Sequence, residues 1–371
     1  LRFLTSETEG WQDVYGDAEA AFSSFLTQAL TSRHLGVLCG LGTSRCIVDD
    51  QGRFLSPDMS DLWRAVKEAN EKRFRHVLDV VSSPPGEENI ELLLSRCQMQ
   101  QELAPDAELQ AFIEEGEKTI AEKCNFIDAD TALGTHESFL RKVARRSTKL
   151  PRTQVFTTNY DLAFETAAAR IGFAVIDGFS ASSPARFDPV AFERDYARRD
   201  HSGSTEPIDW MPNVVQLHKL HGSIDWIRQG AAVLRKDPDK RPLIVYPRSN
   251  KFELSYQQPF LELMGRFQSA TRRPATGLIV AGFGFEDSHI AEPFMAAVRG
   301  NVGLNVVVIS RNLENKDDGV IGNLKKLIAE GDRRIGLVAG SFEAAVKAFP
   351  DLVASMEEEI HAQRLEAIID G

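Results

Sequence analysis

Three polar side chains stand where short apolar runs end. Asn159 and Asp161 follow Val155-Phe156-Thr157-Thr158, and His221 follows the run that begins at Val214. An amide can hold a hydroxyl or a water, a carboxylate accepts hydrogen bonds, and an imidazole exchanges a proton near neutral pH. Together they could grip a polar substrate and move one proton. Two more apolar runs end in small residues. One closes in Gly40-Leu41-Gly42-Thr43-Ser44, the other in Gly282-Phe283-Gly284-Phe285-Glu286-Asp287. In the first, backbone N–H groups and the Thr43 and Ser44 hydroxyls form a candidate phosphate cradle; a plain tight turn is the competing reading.

Such runs are short and apolar, as strands covered on both faces are. In open α/β sheets, functional groups collect just past the carboxyl ends of the strands. Around them the spacing predicts helices. Ala18, Phe22, Phe25, Leu26 and Leu30 share one face, with Asp17 as the expected cap. From 61 to 147 the pattern is helical, broken at Pro84-Pro85-Gly86 and resumed at Ile90, Leu93, Leu94 and Cys97. Further strands are expected over 172–178, 243–247, 277–285, 304–309 and 335–338, with a long loop over 180–210.

The expected fold is α/β: a doubly wound, mostly parallel, Rossmann-like sheet of six or seven strands with an inserted helical subdomain. A nucleotide-binding core would occupy 18–60 and 151–348, the insert 61–150, and an amphipathic helix 350–370 that needs a surface to pack on. The strand ends then carry Gly40, Gly42, Thr43 and Ser44; Asn159 and Asp161; His221; Gly282, Phe283 and Gly284; Ser310; and Ser341. So many small and polar ends along one edge suit a long nucleotide. His218, three residues before His221, falls on the opposite face of its strand and is expected to pack or face solvent, not to pair with His221 on a metal.

Of the 371 residues 43% are hydrophobic and 26% charged, which argues for a folded chain, and the net charge of -11 disfavours non-specific contact with nucleic acid or anionic membrane. The four cysteines, Cys39, Cys46, Cys97 and Cys124, form no C-x-x-C pair, so no structural zinc is expected. Without a membrane-length apolar run or a signal peptide, the expected location is cytoplasmic.

The strand ends, in this order, resemble the sirtuin-like NAD-binding domain. The likeness rests on Gly40-Leu41-Gly42-Thr43-Ser44, on Thr157-Thr158-Asn159-Tyr160-Asp161 and on His221-Gly222. Lys219-Leu220-His221-Gly222-Ser223, Gly282 to Asp287 and Asn89-Ile90-Glu91-Leu92-Leu93-Leu94 extend it toward the bacterial sirtuin-like branch found in antiphage defence. The resemblance covers about 34–345. It departs from the deacylating sirtuins in lacking the four-cysteine zinc module, and in the stretch from Cys46 to Phe54, where their aspartate-phenylalanine-arginine element would stand.

What the resemblance implies is an NAD+ glycohydrolase that cleaves the nicotinamide–ribose bond and depletes NAD+ as a defence effector. Asn159 would hold a ribose hydroxyl or the water, and His221 would take the water's proton. Asp161 would orient Asn159, cap the following helix, or both. Thr43 and Ser44 would meet the pyrophosphate. Phe283, Ser310 and Ser341 would lie along the adenosine half. An NAD-dependent protein deacylase and a non-catalytic NAD or ADP-ribose-binding module are the alternatives. The apolar stripe over 350–370 leads to the expectation of a homo-oligomer, and with no sensor domain seen after the sirtuin-like region a separate controlling partner is expected. The resemblance implies a HerA-type hexameric DNA translocase for that partner, with a short Argonaute as the alternative.

Overall fold

The structure, a computed structural model, describes residues 1–84, 86–199, 208–236, 242–244 and 258–352. Its centre is a nine-stranded sheet. The strands are β1 (Arg2–Leu4), β2 (Gln12–Asp13), β3 (His34–Cys39), β4 (Thr153–Thr157), β5 (Ala174–Ile176), β6 (Val214–Lys219), β7 (Thr276–Ala281), β8 (Leu304–Ser310) and β9 (Ile335–Ala339). Their spatial order is β2-β1-β9-β8-β7-β3-β4-β6-β5. From β9 to β5 every pairing is parallel, and only β1 and β2 run antiparallel at one edge. The expected doubly wound α/β sheet is therefore present. The two short edge strands were not anticipated, because two or three residues carry no period.

Alternate residues of each central strand enter opposite cores, as the pleat requires. Val37, Cys39, Val155, Ile279 and Ala281 face one layer, while Leu38, Phe156, Leu278 and Val280 face the other. The first layer is α1 (Glu19–Leu30), α7 (Gly134–Ala144), α8 (Ala163–Arg170) and α12 (Phe342–Ala348). The second is α9 (Phe260–Arg272), α10 (Ser288–Gly300) and α11 (Gly319–Ala329). Asp17 does not cap α1: the cap position is Ala18, without a side-chain bond.

Between β3 and β4 the chain makes a single turn, α2 (Leu41–Ser44), and then α3 (Met59–Ala69), α4 (Glu71–Val80), α5 (Ile90–Leu103) and α6 (Ala107–Cys124). Residues of α3 to α6 form a third apolar cluster, built on Leu62, Val66, Leu94, Phe112 and Ile113 and joined by Tyr160 from the β4 loop. The expected insert ran to 150, but α7 differs: its Phe139, Leu140 and Val143 pack on the sheet.

The helix expected over 350–370 lies, from 353 on, outside the described residues, as do 200–207 of the long loop and 245–247 of one expected strand. Among the described residues no helix is long and apolar enough to cross a membrane.

Candidate functional site

The chain turns back on itself between β3 and β7. From β3 it winds to β4, β5 and β6 on one side; from β7 it winds to β8 and β9 on the other. In such sheets the crevice at the reversal binds the ligand. Here two glycine loops meet at it. Gly42 N–H donates to Gly282 O at 2.9 Å, and Gly40 N–H to Ala281 O at 3.0 Å. A Cβ on Gly42 would lie 2.5 Å from Gly282 Cα, and Gly282 adopts φ +61. These glycines are required by each other: they let the two loops touch.

Asn159 is held from beneath. Its Nδ2 donates to Ser44 Oγ at 2.8 Å, with Gly40 O at 3.1 Å and Thr43 Oγ1 at 3.2 Å. Ser44 Oγ in turn donates to Asp161 Oδ2 at 2.7 Å. Asp161 Oδ1 accepts from the Ala163 N–H at 3.0 Å, at the start of α8. Asp161 thus links to Asn159 through Ser44 and to the Ala163 N–H in the first turn of α8, whose cap position is Leu162, without a side-chain bond. With the amide N–H groups engaged below, the Asn159 carbonyl oxygen is left to accept from a ligand. Lys219, almost fully buried, fixes the same loop by donating to the carbonyls of Tyr160 and Asp161 and pairing with Glu165 at 2.9 Å.

His221 meets the Asp287 carboxylate and feels the charge of a second, Glu91. Its Nε2 lies 2.8 Å from Asp287 Oδ2. Burial on its own would lower the imidazole pKa, but the Asp287 contact and charge, with Glu91 adding to them, outweigh burial and raise it above 6.5. Burial would raise the Asp287 carboxyl, yet His221 and the His289 N–H hold it below the usual range. Burial lifts the Glu91 carboxyl despite His221 and the Tyr160 hydroxyl, which donates to Glu91 Oε1 at 2.8 Å. Asn89 caps α5, accepting from Leu92 N–H at 3.0 Å, and so positions Glu91 in its first turn. The insert thereby contributes a carboxylate to the site. Gly222, at φ +86, serves the turn after His221: a Cβ there would lie 2.2 Å from Leu243 O.

These groups line one cavity of about 680 Å³, within the range of small-molecule and cofactor sites. Asn159, Asp161, His221, Gly42, Gly282, Phe283, Gly284 and Ser310 are on its wall. Four expected residues are not. Gly40 lies behind, against Gly282 and Phe283. Thr43 and Ser44 are fully buried; Thr43 Oγ1 donates to Gly40 O at 2.9 Å and Ser44 Oγ to Asp161, so their hydroxyls brace the loop instead of facing a pyrophosphate. Ser341 Oγ accepts from Ala344 N–H at 3.1 Å as the cap of α12, leaving its neighbours Gly340 and Phe342 on the wall.

Sequence reasoning missed Glu91, Tyr160, Lys219 and Asp287 as site residues. The signal was present in part, since all four lie inside the stretches singled out above. His218 is a core residue. It is fully buried, stacked between Phe156 at 4.6 Å and Phe192 at 4.3 Å, and burial pushes it down to about 3. The four cysteines are free thiols. Burial raises Cys39 and Cys124, and pushes Cys46 up to about 11 and Cys97 up to about 12. Among the described residues no group of three or more His, Cys, Asp or Glu side chains could hold a metal ion.

Chemically the cavity offers a fixed acceptor at Asn159 and an imidazole oriented by Asp287. Negative charge near His221 would favour a ligand or intermediate bearing positive charge there.

Residues 153–318 match the family model described as SIR2-like domain. No curated protein matches the chain. A solved structure described as "Structural Basis for the Mechanism and Regulation of Sir2 Enzymes" aligns with 88% of this chain and 94% of its own, at 11% identity and a TM-score of 0.41.

Proposed function

We propose that this chain is an NAD+ glycohydrolase that cleaves the nicotinamide–ribose bond to give nicotinamide and ADP-ribose. The observation that carries the proposal is that Asn159, held through Ser44 and Asp161, and His221, held by Asp287, lie on the wall of one cavity. The SIR2-like match over 153–318 agrees with use of NAD+ in general.

The scissile bond breaks with its electron pair going to the pyridinium nitrogen, so nicotinamide leaves neutral and needs no acid. The ribose is left as an oxocarbenium-like cation, as in other glycosidic cleavages. Asp287 and Glu91 supply negative charge near it. Asn159 Oδ1 accepts from a ribose hydroxyl or the attacking water. Neutral His221, with its Nε2 beside Asp287, takes the water's proton on Nδ1 as the new C–O bond forms. Asp287 fixes the ring and stabilises the imidazolium that results.

The test is to incubate the purified chain with NAD+, with and without an acyl-lysine peptide, and to identify the products. Nicotinamide and ADP-ribose without peptide support hydrolysis. Turnover only with peptide would favour a deacylase, and binding without turnover a non-catalytic module.

The same reading extends to biology. We propose a defence effector that drains NAD+, working as a homo-oligomer with a HerA-type DNA translocase or, as the alternative, a short Argonaute. Light scattering and an NAD+ assay on the full chain, with and without the partner, test this. A monomer with full, partner-independent activity would contradict it.

A further inference from the structure

The cavity wall also carries two arginines, Arg45 and Arg311. Arg311 follows β8, the strand beside β7, and Ser310, Arg311 and Asn312 all line the cavity. β7, the Gly282-Phe283-Gly284 turn, α10 and β8 form a β–α–β unit. In dinucleotide-binding units of that kind, a polar residue beyond the glycine turn meets the 2′ position of the adenosine ribose. An acid there accepts from a 2′-hydroxyl and repels a phosphate; an arginine accommodates the phosphate.

Here no carboxylate follows β8 until Glu314, and Glu314 is turned to Arg2, at 2.6 Å. The position belongs to a cation. The Arg311 guanidinium lies 5.4 Å from the centroid of the Phe54 ring, and the Arg45 guanidinium lies 4.0 Å from the same centroid. Arg45 also lines the cavity and is anchored, donating to Ser56 O at 3.0 Å and standing 3.6 Å from Asp58. Arg311 makes no hydrogen bond or ion pair among the described residues. A planar guanidinium kept beside a ring, without a carboxylate partner, suits bidentate recognition of a phosphate. Glu91 and Asp287 stand by His221 beyond β6, for a pyridinium cation, while Arg311 stands beyond β8, across β7, β3 and β4 in the sheet, for an anion.

We propose that the cavity is built for a dinucleotide with a 2′-phosphate on its adenosine ribose, NADP+, and that Arg311 binds that phosphate with Arg45 beside it. This rests on the dinucleotide reading of the site above: NAD+ remains a substrate, and NADP+ is the one bound more tightly.

Calorimetric titration of the whole chain with ADP-ribose and with 2′-phospho-ADP-ribose tests it without requiring turnover. The wild-type chain is expected to bind the phosphorylated ligand roughly tenfold more tightly, as one charge-assisted phosphate contact would give. In Arg311→Gln the ratio of the two dissociation constants should fall to near one, and Arg311→Lys should restore part of it. Raising the salt should narrow the wild-type ratio. Equal or weaker binding of the phosphorylated ligand by wild type, or a preference that survives Arg311→Gln, overturns the inference while leaving the dinucleotide site in place. Failure of both ligands to bind overturns the dinucleotide reading and this inference with it.

Discussion

The carboxylate of Asp287 stands 2.8 Å from Nε2 of His221, joining the cap of α10 to the end of the run that follows β6. One side chain therefore starts a helix, fixes an imidazole ring and sets its protonation. Because the contact raises the His221 pKa, the imidazolium persists to higher pH than in an ordinary histidine, and the neutral base appears as the pH rises further.

The pH–rate profile should accordingly climb through a midpoint above the ordinary 6.5 of histidine. In Asp287→Asn the raising contribution is removed and burial, which lowers, is left opposed only by Glu91. The acid limb should move to lower pH, and the plateau rate should fall by on the order of 10²-fold as the ring loses its orientation. An unchanged midpoint, measured from kcat/KM between pH 5 and 9, would show that Asp287 does not govern His221.

Ser44 is predicted to matter without touching substrate. Ser44→Ala breaks the link from Asn159 to Asp161 and leaves a buried carboxylate oxygen without its donor, at a cost of about 1–3 kcal/mol. Turnover should fall by at least tenfold, mostly in kcat, while Ser44→Thr, if it keeps the hydroxyl in place, should recover part of it. Equal activity of Ser44→Ala and wild type would place the relay outside the mechanism.

Tyr160→Phe removes the hydroxyl that ties the β4 loop to Glu91 of the helical insert. The Glu91 carboxyl loses a donor that lowers its pKa, so it should protonate at higher pH than in wild type. The pH–rate curve should change in shape, with only a modest loss of thermal stability. Glu91→Gln should mimic the protonated carboxyl and show a loss of rate at every pH, without titrating. Wild-type profiles in both variants would leave the insert without a part in the chemistry.

Much of this was legible in the chain. β3, β4, β6, β7 and β8 announce themselves as apolar runs, with Asn159 and Asp161 just past the end of β4 and His221 just past the end of β6. What was not legible depends on contacts between distant segments. Glu91 is one of many acids on helical stretches until α5 is folded against the β4 loop. Asp287 reads as a helix cap, which it also is, and only the fold brings His221 to it. The Thr43 and Ser44 hydroxyls could face either way from a short turn; Asn159 and Asp161, more than a hundred residues on, turn them inward. β1 and β2 form on the edge that β9 offers, a partner their own sequence does not encode.

The glycine contact predicts a stability effect. Gly282→Ala would put a Cβ 2.5 Å from Gly42 at a φ of +61, both unfavourable. A fall in melting temperature and a loss of ligand binding are expected together, since the same loops line the cavity. By contrast Gly284→Ala, whose Cβ would meet nothing within 4 Å, should melt close to wild type. Differential scanning calorimetry separates the two, and similar melting of both variants would contradict the packing described.

The central claim is that Asn159 and His221 act together on the nicotinamide–ribose bond. Its most direct measurement is release of nicotinamide and ADP-ribose from NAD+, followed by chromatography, for wild type, Asn159→Ala and His221→Ala, each shown folded by circular dichroism. The account predicts release by wild type without any acyl-lysine substrate, and a loss of about 10²–10⁴-fold in each variant. Release at near wild-type rate by either folded variant, or no release by wild type with its partner present, would contradict it.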